Sequence, residues 1–292
     1  MSNNQSIETI PKRIKKSSNL AQRIFTALTA GTALITLIIV SPWGLFGACV
    51  LISMVGLLEF YKLIDLKIYR WETIFTLAFT LFVWGALAIS LYQGKIRFEF
   101  IAVGVLALPA ISIILLYEKA EKTAVQTLSL LSFSQLYIVL PFLLFFISAF
   151  DIRYKAFQDY HFEIPLGILL LHWLSDTAAY FAGKMMGRRS LFPRISPKKT
   201  WEGFAGGLIG NLLLGWLFEV IWDQSAFNWI VIAFIVAVMG LYGDLVESMI
   251  KRNLSVKDSG SILPGHGGIL DRFDSFLLAM PAVFVVQLLF GT

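Results

Sequence analysis

The stretch from Trp229 to Ile250, WIVIAFIVAVMGLYGDLVESMI, carries no charge until Asp244 and Glu247 appear near its end. An α-helix rises about 1.5 Å per residue, so about 20 such residues cross the hydrocarbon core of a bilayer. Other apolar blocks of similar length lie along the whole chain. The sequence therefore predicts an all-α, polytopic integral membrane protein with about nine transmembrane helices.

The composition agrees with this class. Of the 292 residues, 57% are hydrophobic and 15% are charged, whereas a soluble domain has about half and about a quarter. The net charge is +5, but the charges lie between apolar blocks, which favours topology signals and contacts with membrane lipids over nucleic-acid binding. The single cysteine, Cys49, excludes a disulfide framework and a thiolate metal site.

The predicted layout has three parts. Residues 1–20 form a polar, basic tail that we expect to be disordered, residues 21–150 form N-terminal membrane helices, and residues 151–292 form a membrane catalytic region with two longer loops. Pro141 should interrupt the fifth span. The predicted spans are Ala21–Val40, Leu45–Ile64, Thr73–Tyr92, Phe98–Tyr117, Leu128–Phe150, Ile164–Phe181, Phe204–Ile221, Trp229–Ile250 and Phe273–Phe290.

Basic residues predict the orientation of these spans. With the N-terminus inside, 20 of the 24 lysine and arginine residues fall on one side, in the tail and in alternate loops. Cytoplasmic loops carry such an excess. We therefore expect a cytosolic N-terminus and an external C-terminus. Glu59 and Glu219 lie at the ends of predicted spans, where we expect them to face water.

Two pairs of acids end on neighbouring spans. Asp244 and Glu247 share one helix face, and Asp271 and Asp274 repeat that spacing at the start of the last span. Carboxylates so close to hydrocarbon are costly unless they are paired or bound to a cation. Oxygen ligands of this kind suit Mg²⁺, which completes its shell with water and substrate phosphates. We expect Asp244 and Asp271 to bind the metal, and Asp274 and Glu247 to be further ligands or to support them.

The loop between the pairs combines glycines with cations. Gly267 and Gly268 allow backbone N–H groups to approach phosphates closely. Basic residues in and beside the loop supply countercharge: Lys251, Arg252, Lys257 and Arg272. Membrane anchors and an ordinary turn would explain each residue alone, but not the acids as well. Together they predict metal-assisted phosphoryl chemistry at the cytosolic face.

The segment from Ser248 to Asp274 resembles the signature of CDP-diacylglycerol synthases, also called phosphatidate cytidylyltransferases. It reads Ser-x-apolar-Lys-Arg, then Lys-Asp, then Pro-Gly-His-Gly-Gly, and ends in Asp-Arg-Phe-Asp. The resemblance implies a nucleotidyltransferase of phospholipid biosynthesis that converts CTP and phosphatidate to CDP-diacylglycerol and diphosphate. It also implies Mg²⁺, a homodimer and a bacterial inner-membrane location with the active site facing the cytoplasm.

Two further segments resemble parts of the phosphate site in the same family. Asp176 lies inside a predicted span, where an acid is either functional or a structural hydrogen-bonding group. Ser196, Lys198 and Lys199 precede a predicted helix start, which suits phosphate binding but also a simple membrane anchor. We predict that all four residues bind substrate, and that Asp271, Asp244 and Lys257 are catalytic.

His266 lies within the glycine loop and is also a predicted catalytic residue. It could transfer a proton near neutral pH or donate a hydrogen bond to a phosphate, and we favour the hydrogen bond. Two alternatives stay open for the whole protein. One is a CTP-dependent kinase or cytidylyltransferase for another lipid, and the other is a membrane transporter, against which the absence of a clear internal repeat argues.

Overall fold

The computed structural model describes residues 15–64, 70–94, 124–150, 159–222, 228–260, 262 and 267–290. The described part is helical, with one short β-hairpin. Its helices are α1 Lys15–Val40, α2 Pro42–Ile64, α3 Arg70–Gln93, α4 Ala124–Ser134, α5 Leu140–Ser148, α6 Glu163–Met186, α7 Trp201–Trp222, α8 Trp229–Asn253 and α9 Leu270–Phe290. The hairpin pairs β1 Ser190–Phe192 with β2 Ser196–Thr200 in antiparallel fashion.

The helices confirm the predicted class of membrane protein. Among the described residues, seven helical segments are long and apolar enough to cross a bilayer, and Thr26–Val40 is a shorter apolar segment. Helix α1 begins at Lys15, inside the predicted tail. The predicted span Phe98–Tyr117 lies outside the described residues. The other eight predicted spans each coincide with a helix or, in the fifth span, with α4 and α5 together.

The fifth span contains a π-helical turn, Gln135–Val139, directly before Pro141. The N–H of Leu140 donates to the carbonyl of Gln135, five residues back. Proline has no N–H to continue the regular ladder, so an irregularity at this point is expected. The turn is tied to the preceding helices, because Gln135 accepts a hydrogen bond from Thr80 of α3 at 3.1 Å.

Small residues bring the C-terminal helices close together. A Cβ atom on Gly206 of α7 would overlap Ala182 of α6, and one on Gly215 would lie 2.7 Å from the carbonyl oxygen of Trp229 in α8. Helix α9 packs on α5 through aromatic rings, with the centroids of Phe276 and Phe145 5.1 Å apart. Because the backbones approach so closely, side chains at the helix ends hold defined positions.

Helices α8 and α9 meet through two glycines one turn apart. A Cβ on Gly243 would lie 2.6 Å from the carbonyl oxygen of Asp274 and 2.9 Å from that of Ser275. A Cβ on Gly240 would approach no atom of Ser275 closer than 3.5 Å, which is ordinary contact. Gly243 therefore sets the distance between the two helices that carry the paired acids.

We expect Gly243→Ala to separate α8 from α9 and to destabilise the protein by about 1–3 kcal/mol through overpacking. Thermal unfolding in detergent should show a lower midpoint for this variant. Gly240→Ala is the matched control, because it adds the same methyl group to the same helix face where there is room. Equal midpoints for the two variants would contradict the close contact at Gly243.

Candidate active site at one end of the helix bundle

The candidate site lies where α8 ends and α9 begins. Chain direction places the C-terminal ends of α2, α6 and α8 at this end of the bundle, together with the N-terminal ends of α7 and α9. The hairpin β1–β2 connects α6 to α7 at the same end. The site is thus assembled from segments that are distant in sequence, and hydrogen bonds and ion pairs join them.

Lys251 joins the two predicted acid pairs. Its Nζ donates to Asp271 Oδ1 at 2.7 Å and lies 3.2 Å from Glu247 Oε2. Glu247 is 3% exposed, and its Oε1 has no hydrogen-bond partner among the residues described. The buried acids are therefore partly compensated by one lysine, which the burial of charge near hydrocarbon requires.

The carboxylate of Asp271 is held from several directions. Besides Lys251, it accepts hydrogen bonds from the backbone N–H of Ser259 at 2.9 Å and from that of Gly268 at 2.9 Å, both to Oδ2. Its position at the first turn of α9 also suits a negative charge. Of the predicted metal ligands, Asp271 is thus the one most fully occupied by contacts within the protein.

The glycines close the loop around this carboxylate. Gly267 has a φ of +85°, and a Cβ there would lie 2.8 Å from Asp271 Oδ2. A Cβ on Gly268 would overlap the Ser259 hydroxyl and lie 2.8 Å from the backbone nitrogen of Gly260. The N–H of Gly268 donates to the Asp271 carboxylate. The sequence predicted that glycine N–H groups would approach a phosphate closely, and here this one approaches a side chain of the protein.

The hairpin brings a second lysine to the acids. Lys199 of β2 forms an ion pair with Asp244 of α8, and Asp244 also accepts a hydrogen bond from Ser248 at 3.2 Å. The hairpin, which sequence reasoning did not predict, is fixed by Glu202. That carboxylate accepts hydrogen bonds from the backbone N–H groups of Arg188 and Arg189.

The start of α7 fixes the position of Lys199, which directly precedes the capping residue Thr200. Thr200 accepts a hydrogen bond from the N–H of Gly203 at 3.1 Å, so it caps the helix. Ser196 lies at the other end of β2, half-buried, and Lys198 between them is exposed. Adjacent strand residues point to opposite faces, so Lys199 turns toward the acids while Lys198 faces outward.

Asp274 and Asp176 extend the acidic surface into the span. Asp274 accepts a hydrogen bond from the N–H of Ser275 at 2.7 Å. Asp176 of α6 lies within electrostatic reach of Asp244 and Lys199. Its side chain is exposed. The structure thus brings Asp176 together with the signature acids.

The remaining predicted cations stand at the rim. Each is exposed, and none forms an ion pair with another residue in the described part of the chain: Lys198, Arg252, Lys257 and Arg272. Exposed cations that form no ion pair are available to bind phosphates, and Arg272 also lies within electrostatic reach of Asp176. His266 lies outside the described residues, as do Pro264 and Gly265.

The charge balance suits a divalent cation. By formal count, the four acids Asp244, Glu247, Asp271 and Asp274 outnumber the two lysines of the cluster, Lys199 and Lys251. Within the described ranges no three acids converge as a preassembled metal centre. Mg²⁺ usually takes one or two carboxylates and completes its shell from substrate phosphates, so the donor set fits a metal that is bound together with a nucleotide.

Sequence reasoning was wrong about Glu59 and incomplete about Glu219. Glu59 does not face water: it is 2% exposed, and its Oε2 accepts a hydrogen bond from the N–H of Leu270 at 3.0 Å. Glu219 is half-buried and accepts from the N–H of Ile230 at 3.2 Å. Both carboxylates cap the first turn of a neighbouring helix. The partner of Glu59 could not be found in the sequence, because α9 lies 211 residues further along the chain.

Comparison with known proteins adds a family to this geometry. The model of the cytidylyltransferase family matches residues 21–290. The phosphatidate cytidylyltransferase of Bacillus subtilis (strain 168) is 35% identical over 283 residues, which cover 94% of this chain and 99% of the relative. The phosphatidate cytidylyltransferase of Staphylococcus saprophyticus is 50% identical over 119 residues, which cover 40% of this chain and 46% of the relative.

The match therefore includes both halves of the chain and the whole described site. It extends from α1 to the end of α9, beyond the signature segment on which the resemblance was first based. The Bacillus subtilis relative is matched over nearly its full length, so the similarity is not confined to one motif. The chain belongs to the cytidylyltransferase family.

Proposed function

We propose that this protein is a phosphatidate cytidylyltransferase, which converts CTP and phosphatidate to CDP-diacylglycerol and diphosphate. The observation that carries the proposal is the pair of lysine–carboxylate contacts, Lys199 with Asp244 and Lys251 with Asp271, surrounded by exposed cations. Such a site can hold two polyanions at a membrane surface. The near full-length relative from Bacillus subtilis bears this activity in its name.

In the proposed reaction, a phosphate oxygen of phosphatidate attacks the α-phosphorus of CTP. The new P–O bond forms as the bond to the β-phosphate oxygen breaks, and diphosphate leaves with the electron pair. The attacking oxygen is already ionised, so no strong base is required. The main barrier is repulsion between the two anions, so charge compensation and positioning dominate.

Each part of the site has a role in this proposal. The rim cations Lys198, Arg252, Lys257 and Arg272 hold the triphosphate and the lipid phosphate. Lys199 and Lys251 exchange their carboxylate contacts for phosphate oxygens, and His266 donates a hydrogen bond.

A divalent cation fits the same site. Asp244 and Asp271 would hold Mg²⁺ together with the substrate phosphates, with Glu247 and Asp274 as further ligands or in support. When bound, the metal neutralises charge that develops on the phosphates.

The finer localisation is also a proposal. The chain is a membrane protein by its helices, and the charge bias supports a site that faces the cytoplasm at the bacterial inner membrane. Phosphatidate and other membrane lipids reach such a site laterally, and CTP reaches it from the cytosol. The family resemblance supports a homodimer.

A product assay with labelled CTP tests the reaction. With CTP labelled at the α-phosphorus, phosphatidate and Mg²⁺, label should enter a lipid that has the mass of CDP-diacylglycerol. A lipid kinase would transfer label only from the γ-position. A transporter would move a solute across liposomes without consuming CTP. If all of the label stays in water-soluble compounds after full incubation, the proposal is contradicted.

Asp271→Asn should reduce product formation by a factor of about 10² or more, because it removes the charge that Lys251 compensates and that a metal requires. Chelation of divalent cations by EDTA should abolish wild-type turnover. Asp159→Asn is the control, since Asp159 is an exposed acid away from the site, just before α6. An Asp271→Asn enzyme that is folded in detergent and fully active would refute its assigned role.

Lys199→Met should lower kcat/KM by a factor of about 10²–10³, the usual cost of one group that compensates transition-state charge. Lys62→Met is the control, because Lys62 is an exposed lysine at the same end of the bundle. The assay is initial-rate kinetics with varied CTP. Equal activity of the two variants would argue that Lys199 is only a membrane anchor.

Single cysteines in a Cys49→Ala background test the orientation. Cys49 is buried and free, so its removal leaves no background label. Lys62→Cys and Asp159→Cys place thiols at exposed sites, one at the end of α2 and one just before α6. An impermeant maleimide added to intact spheroplasts should label only the second variant. Labelling of Lys62→Cys from outside would invert the proposed topology.

A further inference from the structure

Glu59 of α2 is a buried acid that the proposed chemistry does not use. It lies in the N-terminal half of the chain, where the family signature has no residue, yet its side chain reaches the beginning of α9. It is 2% exposed, and Oε1 has no hydrogen-bond partner among the residues described. An ionisable side chain in such a place is costly, so its contacts should serve a purpose.

Those contacts converge on the backbone of the signature loop. Oε2 accepts a hydrogen bond from the N–H of Leu270 at 3.0 Å. A Cβ on Gly260 would lie 2.7 Å from Oε1, and a Cβ on Gly268 would lie 2.7 Å from Oε2. Glu59 therefore touches both sides of the loop and the first residue of α9.

The same backbone segments hold Asp271. Ser259, next to Gly260, donates its N–H to Asp271, and so does Gly268. Asp271 and Glu59 thus contact the same short segments of main chain. A shift of those segments away from Glu59 would carry with it the N–H groups that orient the Asp271 carboxylate.

The packing of α2 is arranged for this approach. Gly56 lies one turn before Glu59, and a Cβ there would lie 3.2 Å from Leu270 Cδ2 and 3.1 Å from Ile138 Cγ2 of the π-helical turn. Leu270 itself is 3% exposed. Gly56 therefore lets α2 approach α9 closely, so that the Glu59 carboxylate reaches the backbone N–H of Leu270 directly.

We infer that Glu59 is a positioning residue, which fixes the signature loop and the start of α9 so that Asp271 is held in its working orientation. The inference rests on the proposed function for its kinetic consequence but not for its structural one. The essential property is the acceptor oxygen that Leu270 uses. It follows that the N-terminal helices contribute directly to the order of the site, and not only to membrane anchoring.

The test compares Glu59→Gln with Glu59→Met. Glutamine keeps the acceptor and the length of the side chain, whereas methionine keeps only the length. We expect Glu59→Met to lower kcat by about tenfold or more, as befits loss of a buried hydrogen bond to a charged group. The KM for each substrate should stay within about twofold, because the rim cations are unchanged. Glu59→Gln should stay near the wild-type kcat.

Hydrogen exchange provides a readout that does not depend on activity. Glu59→Met should accelerate exchange at Ser259, Gly268 and Leu270, with the other helices unaffected. Glu219→Met is the matched control, because Glu219 caps the start of α8 in the same way at the opposite end of the bundle. It should accelerate exchange near Ile230 and leave kcat unchanged.

The outcomes separate this inference from the proposed function. The inference would be overturned if Ser259 and Gly268 exchanged as slowly in Glu59→Met as in the wild type. It would also be overturned if the kcat of Glu59→Gln were as low as that of Glu59→Met. If Glu59→Met does not fold, Glu59→Asp replaces it, since the shorter side chain keeps the charge but cannot reach Leu270. If wild-type protein makes no CDP-diacylglycerol, the exchange comparison still decides the positioning role.

Discussion

The ion pair between Lys251 and Asp271 is the interaction on which the rest of the site depends. Both groups lie at the ends of apolar helices, where an isolated charge is strongly disfavoured. Pairing makes their burial tolerable, and it also ties the last turn of α8 to the first turn of α9 at 2.7 Å. The backbone N–H groups of Ser259 and Gly268 then complete the environment of the carboxylate. The helix contacts at Gly243 keep the two helices close enough for this arrangement.

Two further elements support that pair. The hairpin contributes Lys199, held in place by the capping contacts of Thr200 and Glu202. Helix α2 contributes Glu59, which contacts the loop at Gly260 and Gly268 and accepts a hydrogen bond from Leu270. A charged site at a membrane surface is thus built from segments separated by as many as 211 residues. The hairpin, α2, α8 and α9 each supply a hydrogen bond or an ion pair to it.

Much of the fold could be predicted from hydropathy alone. Long apolar blocks report spanning helices directly, because the bilayer sets their length, and the Asp244–Asp274 region could be recognised from its acids and glycines. The hairpin could not, since Ser196–Thr200 resembles an ordinary basic loop before a helix. Nor could Glu59, because an acid near the end of a span reads as solvent-facing until the tertiary structure brings Leu270 to it. Local sequence reports what a segment can do, whereas these two features depend on contacts between distant segments.

The internal pairing of the two inner lysines has a consequence for selectivity among lipids. A groove of unpaired cations at a bilayer surface would collect every anionic headgroup that diffuses past it. Lys199 and Lys251 are already neutralised by Asp244 and Asp271, so a diester lipid with a single charge gains little by displacing them. A phosphomonoester carries more charge at its terminus and offers more acceptor oxygens. Between a diester and a phosphomonoester, the two inner lysines, unlike the exposed rim cations, would therefore favour the lipid with a free phosphate.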